Sequence, residues 1–161
     1  MKILNGAEIA SFVKARQLHQ VRALRQHDHV FPRLAILTTS RPGHENLPIE
    51  TYARMKTRYG ADILVDVEVF REKTDDLPAK IAALNADDSV TAMIVQLPLE
   101  NRAREDEIVN LVAPEKDVDA LGENAILTPA TPLAINWLLA GYGVELRGKD
   151  IVIVGAGRLV G

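Results

Sequence analysis

Ala92-Met93-Ile94-Val95-Gln96-Leu97-Pro98-Leu99 decides how this chain folds. Four apolar residues run into a polar amide, and Pro98, which has no N–H to give to a ladder, stops them. The run is too short for a helix and predicts a short buried strand. Leu34-Ala35-Ile36-Leu37, within Arg33 to Thr38 and just after Pro32, predicts another. Residues 63–70 partly alternate, with Val65, Val67 and Val69 on one side, and predict a strand with one less buried face.

Helical signals fill the gaps between these strands. Ile9, Val13, Val21 and Leu24 share one side of a 3.6-residue repeat, so residues 7–26 predict an amphipathic helix. Thr39 to Leu47 is polar, holds Pro42 and Gly43, and reads as a loop. Pro48 suits the first turn of a helix that carries Tyr52 and Lys56 and ends near Gly60 to Asp62. Asp75 or Asp76 is expected to cap a helix through Leu84. Further helices are expected from about Arg104 to Val112 and from Pro132 to Gly141. Lys149 to Val154 then predicts a strand that feeds the glycine turn Gly155-Ala156-Gly157-Arg158-Leu159-Val160-Gly161.

Strands alternating with helices predict the α/β class, with helices flanking a mostly parallel sheet. The glycine turn adds the first strand and phosphate loop of a Rossmann domain. About another hundred residues would be needed to complete that unit, so the chain is expected to be a truncated piece of a longer protein. The divisions that follow are 1–122 for a catalytic domain, 123–143 for a connecting segment and helix, and 144–161 for the start of the dinucleotide-binding domain.

Composition excludes several alternatives. The 161 residues are 47% hydrophobic and 25% charged, which suits a globular core and argues against disorder. A net charge of −3 gives no general pull toward nucleic acid or anionic membranes. With no cysteine there is no disulfide, thiolate ligand or cysteine nucleophile. His19, His27, His29 and His44 lack the spacing that sets two ligands on one helical face, so no metal site is expected. No long apolar run marks a signal peptide or a membrane span, and a cytoplasmic protein is expected.

Four places could carry chemistry. Tyr52 and Lys56 lie one turn apart on a predicted helix and can border one pocket, although the pair alone reads more readily as a solvated lysine beside Arg54 and Arg58 and a half-buried packing tyrosine. Gln96 sits at the carboxyl end of a strand, where open α/β sheets bind ligands, and its amide can donate and accept. It could also serve only a loop backbone. In Pro114-Glu115-Lys116-Asp117-Val118-Asp119, carboxylates two apart point to opposite sides of an extended segment, so only one can face a pocket; a polar surface turn is the plainer reading. The turn at Gly155 and Gly157 permits close approach of backbone N–H groups to phosphate, but its spacing is Gly-x-Gly-x-x-x-Gly rather than the usual Gly-x-Gly-x-x-Gly.

Taken in order, Val95-Gln96-Leu97-Pro98-Leu99, Pro114 to Asp119, Asn124, Pro129-Ala130-Thr131-Pro132 and the Val154 to Gly161 turn resemble the bifunctional methylenetetrahydrofolate dehydrogenase/methenyltetrahydrofolate cyclohydrolase family over essentially the whole chain. The resemblance implies oxidation of 5,10-methylenetetrahydrofolate with NADP (or NAD) and hydrolysis of the methenyl product to 10-formyltetrahydrofolate by the full-length parent. It also implies a homodimer with a small-molecule folate substrate. Lys56 would be the proton-transfer group, Gln96 the amide that tunes it, Tyr52 the ring that stacks on folate, and Asp119 the carboxylate that grips the pterin. Leu97 and Pro98 would border the substrate, and Gly155, Gly157 and Arg158 would hold the cofactor. The piece by itself is expected to lack the dehydrogenase step.

Some positions depart from the family pattern. Ile49 stands where a serine is usual, Ala120 where a glycine follows the aspartate, Ala130 where cysteine is usual, and Ala134 and Gly157 replace a glycine and a serine. Counting back from Gln96 without gaps would put Tyr52 on the lysine position and Pro48 on the tyrosine position. Keeping Tyr-x-x-x-Lys requires a slip of four residues, about one helical turn, which preserves the face. A folate-binding but inactive relative, or a non-enzymatic dimerisation module, are the alternative functions.

Overall fold

The computed structural model describes residues 3–155 and 157. Three strands, β1 (Arg33–Thr38), β2 (Asp66–Arg71) and β3 (Ala92–Val95), form a parallel sheet in the order β2-β1-β3. Its register aligns Leu34 with Val67 on one side and with Ala92 on the other. Among the described residues five α-helices accompany it: α1 (Gly6–His27), α2 (Leu47–Asp62), α3 (Leu77–Asn85), α4 (Glu105–Val109) and α5 (Ala130–Gly141). The molecule is therefore α/β, with helices flanking a parallel sheet.

The sheet's two faces bury different partners. Ala35, Leu37, Met93 and Val95 join Leu77, Ile81 and Leu84 of α3 and Ile108 and Val109 of α4 in one apolar cluster. The alternate positions face α2, whose Ile49 and Ala53 are buried. Central β1 is closed on both sides, which explains its unbroken apolar run. Edge strand β2 alternates instead, with Asp66 and Glu68 exposed, and such charges discourage further strand pairing.

Gly60 sets how closely α2 lies on the sheet. A Cβ at this position would fall 2.3 Å from Val67 Cγ2 and 3.0 Å from the Val65 carbonyl oxygen. Only a hydrogen fits there. α2 then ends in a Schellman motif: Val65 N–H donates to Gly60 O at 2.9 Å and Leu64 N–H to Ala61 O at 3.3 Å, with Leu64 at φ 63°. Because residues 63–65 are spent on capping the helix, β2 begins at Asp66 rather than at the expected residue 63. The same motif closes α5, where Val144 N–H bonds Leu139 O at 2.9 Å and Gly143 takes the left-handed position.

α1 runs across the end of α2 and along α5. Lys14 pairs with Asp62, Tyr59 Oη donates to Gln17 at 2.6 Å, and Arg25 Nη1 donates to Leu64 O at 2.8 Å. Tyr142, just past α5, donates to Glu8 at 2.7 Å and accepts from Asn5 N–H at 3.0 Å.

Three expectations need correction. Asp76 stands at the start of α3 but makes no capping bond, because a 3₁₀ turn over Thr74–Asp76 already leads the chain into the helix; Asp75 instead pairs with Arg104 at 2.8 Å. The helix expected over residues 104–112 is a 3₁₀ turn at Arg102–Arg104 followed by the short α4, and it gives way to tight turns at Leu111 and Val112. Residues 149–154 form no strand: Val152 and Val154 are 85% and 96% exposed, and no described residue offers them a ladder. Among the described residues, no helix is long and apolar enough to cross a membrane.

Two substitutions test this account by thermal or denaturant unfolding. Gly60→Ala should destabilise by about 1–3 kcal/mol through overpacking against β2. Ala120 carries φ 52°, a strained region for an L side chain. Ala120→Gly should therefore stabilise by about 1 kcal/mol, net of the entropy that glycine adds to the unfolded chain.

Candidate active site

α2 owes its position to both of its ends. At the start, the Asn46 side chain accepts Ile49 N–H at 3.4 Å and Pro48 occupies the first turn. At the other end, Gly60 lets the helix touch the sheet. Between them Tyr52 and Lys56 project one turn apart, Tyr52 57% exposed and the Lys56 side chain 31% exposed.

Gln96 follows β3 directly. Its backbone N–H donates to Leu37 O at 2.8 Å and so extends the pairing with β1 by one residue. Its side chain is oriented at both atoms: Oε1 accepts from Lys56 Nζ at 2.9 Å, and Nε2 donates to Leu97 O at 3.2 Å. Asp119 Oδ2 lies 3.9 Å from the same Lys56 Nζ. Asp117 is buried and turned away, accepting Gly122 N–H at 2.8 Å. The two carboxylates thus divide between a structural bond and the pocket.

Tyr52, Lys56, Gln96 and Asp119 line one cavity of about 390 Å³, together with Ala130 and Thr131 from the start of α5. Burial lowers the Lys56 pKa from the usual lysine value, and the Asp119 charge only partly opposes this. Burial raises the Asp119 carboxyl, Lys56 opposes the rise, and Asp117 adds to it. The result is an amine drawn toward the neutral form, an amide acceptor on its proton, and a carboxylate whose charge is weakened. Such an amine gives up its proton more readily than an exposed lysine does.

The helix places Lys56, not Tyr52, against Gln96, which is the arrangement that keeps the Tyr-x-x-x-Lys spacing. Leu97 and Pro98 do not line the cavity. Leu97 packs against the apolar cluster, and its carbonyl instead holds the Gln96 amide. Ile49, on the buried side of α2, is 2% exposed, so a core side chain stands at the position where a serine was expected. Gly155 (φ 113°) and Gly157 have open space where a Cβ would stand, and Arg158 lies outside the described residues. Ala130 and Thr131 were not among the expected site residues; the signal that could have found them is Pro129 introducing a helix whose first turn faces the cavity.

Comparison with known proteins gives the family and the fold. The family model for the tetrahydrofolate dehydrogenase/cyclohydrolase catalytic domain matches residues 4–119. The chain is 34% identical over 175 residues to the cytoplasmic C-1-tetrahydrofolate synthase of Homo sapiens, covering 99% of this chain and 19% of that protein. It is 33% identical over 171 residues to the bifunctional protein FolD of Lacticaseibacillus casei, covering 98% of this chain and 59% of the relative. The crystal structure of the Campylobacter jejuni FolD methylenetetrahydrofolate dehydrogenase/cyclohydrolase superposes with a TM-score of 0.88 at 28% identity, over 100% of this chain and 60% of that one. The Trypanosoma brucei enzyme, solved with NADP and an inhibitor, shares the fold with a TM-score of 0.88 at 23% identity, over 99% of this chain and 58% of its own. This chain thus spans about three fifths of the FolD relatives, and it belongs to the tetrahydrofolate dehydrogenase/cyclohydrolase family.

Proposed function

We propose that this chain provides the folate-binding, proton-transferring part of a methylenetetrahydrofolate dehydrogenase/methenyltetrahydrofolate cyclohydrolase. The observation that carries the proposal is Lys56 Nζ, 2.9 Å from Gln96 Oε1 and 3.9 Å from Asp119 Oδ2, beside Tyr52 in one cavity. Tyr52 offers a ring face to a flat heterocycle, and Asp119 offers a carboxylate to its N–H edge. In the hydrolysis, neutral Lys56 takes the proton released as water adds to the methenyl carbon and returns it to the departing ring nitrogen as its C–N bond breaks, while the adduct's remaining hydroxyl proton passes to solvent as the formyl C=O forms. Gln96 Oε1 holds the Lys56 ammonium in place between those two events.

The full-length protein would use NADP, or NAD, for the oxidative half of the activity. Gly155 and Gly157 fit a phosphate turn, since Gly155 adopts a backbone that side chains resist and nothing crowds either position. Arg158 would border the same group. When bound, the nicotinamide supplies the hydride acceptor, and the protein's share is to orient the folate carbon toward it. The domain divisions 1–122, 123–143 and 144–161 belong to this reading, with the site lying where α5 meets the first of them.

Folate binding without turnover is the second reading, and the strained Ala120 beside Asp119 favours it. Rates separate the two. Lys56→Met in the natural full-length protein should reduce the enzyme-catalysed rate of methenyltetrahydrofolate hydrolysis by about 10²- to 10⁴-fold relative to wild type, with folate affinity retained. Equal rates in both proteins would reject Lys56 as the base.

The pH dependence has a definite sign. Only neutral Lys56 accepts a proton, so the catalysed rate should rise with pH through a midpoint below the ordinary lysine value of about 10.4. Asp119→Asn removes the charge that raises the lysine and should move the midpoint lower still; a midpoint moving upward would contradict the pairing.

A further inference from the structure

Lys116 is 9% exposed and takes no part in the cavity, yet all three of its ammonium donors are used. Nζ lies 2.9 Å from Leu84 O, 2.9 Å from Asn85 O and 2.8 Å from Asp87 O. These carbonyls belong to the last residues of α3 and the turn after it, where a helix leaves acceptors without intrahelical partners and where a cation is favoured by the helix dipole. The backbone of the same residue is held as well. Its carbonyl accepts Met93 N–H of β3 at 2.7 Å and Val118 N–H at 3.0 Å, and its N–H donates to Ala113 O at 2.8 Å.

Residue 116 is therefore pinned to β3 by its main chain and to α3 by its side chain. A second pin lies at the other end of the segment, where Asp117 Oδ2 accepts Gly122 N–H at 2.8 Å. Asp119 is carried between the two pins and stands 3.9 Å from Lys56. Nothing of comparable strength is needed merely to fill this space, since an apolar side chain of similar length would do so. It would, however, leave three carbonyls at the α3 end without their ammonium partner.

We propose that Lys116 is a positioning residue: by fastening the segment 116–122 to the end of α3 it sets the place of Asp119 opposite Lys56, and so the affinity of the site for folate. The folate clause rests on the function proposed above. The mechanical clause stands on the hydrogen bonds alone.

The test uses the natural full-length protein with tetrahydrofolate as probe. Equilibrium binding and hydrogen exchange at the Gly122 amide are measured for wild type, Lys116→Met, Lys116→Arg and a control, Ile81→Ala, which removes core volume from α3 but none of the hydrogen bonds that hold the segment. Lys116→Met should weaken tetrahydrofolate binding by about tenfold or more, as expected for a misplaced binding group, and speed exchange at Gly122. Lys116→Arg, which keeps charge and donors, should recover most of both. Ile81→Ala should lower the melting temperature while leaving affinity within about twofold of wild type, since it displaces no binding group. Should Lys116→Met fail to fold, Lys116→Gln, which retains two donors, is read in the same way. Unchanged affinity and exchange in a folded Lys116→Met or Lys116→Gln protein would overturn the proposal, as would an equal affinity loss in Ile81→Ala. If wild type binds no tetrahydrofolate, the folate reading fails, and Gly122 exchange still decides whether Lys116 pins the segment.

Discussion

The approach of α2 to the edge of the sheet at Gly60 is the constraint on which the site depends. With Val67 Cγ2 only 2.3 Å from where a Cβ would stand, the helix can rest on β2 only if that residue is glycine. Lys56 lies one turn earlier on the same helix, so the closeness at Gly60 becomes closeness between Lys56 and Gln96 at the end of β3. Packing thus carries an amine into a partly desolvated place that its own charge would avoid. The asymmetry is between a rigid contact, helix backbone on strand, and a flexible side chain that follows it.

That desolvation has a thermodynamic signature. Lys56 is lowered and Asp119 is raised, each mainly by burial. A lowered lysine costs stability below its folded pKa, and the cost fades as pH rises toward the unfolded value of about 10.4. A raised carboxylate costs nothing below its unfolded value of about 3.9, and the cost grows as pH climbs through the folded one. Around neutral pH both groups therefore work against folding. Such a pair, with Gln96 oriented at both of its polar atoms, has the perturbed environment that gathers at functional sites. At the surface, Arg104 and Glu107 show the opposite pattern, their hydrogen bond raising the guanidinium and lowering the carboxyl.

Much of this was legible in the residues. The β1 and β3 runs stood out because both faces of a parallel strand are apolar, α1 because its apolar residues recur at helical spacing, and α2 because Pro48 marks a first turn. The edge strand was misjudged at its start, since Leu64 in a left-handed cap carries no glycine to announce it. The strand expected at residues 149–154 failed for a different reason. Apolar sequence supplies the tendency to pair, but a strand exists only beside a partner, and no described residue is one. At the site, alternation along the Asp117 to Asp119 segment separated the two carboxylates in advance. The role of Leu97, whose carbonyl accepts from the Gln96 amide while its side chain packs into the apolar cluster, depended on packing that no spacing rule reveals. The same holds for Lys116, whose sequence context is that of a polar turn and whose ammonium is nevertheless buried on the end of a helix.

The central claim is that folding places Lys56 in a desolvated site against Gln96, with its acidity shifted as a consequence. Direct titration of the Lys56 side chain by NMR, using Lys56→Arg to assign its signal, tests this without reference to any substrate. The account predicts a midpoint below those of the exposed lysines in the same protein, together with a further change when Gln96 is replaced by Leu. A Lys56 that titrates together with the exposed lysines, and is indifferent to Gln96, would contradict it.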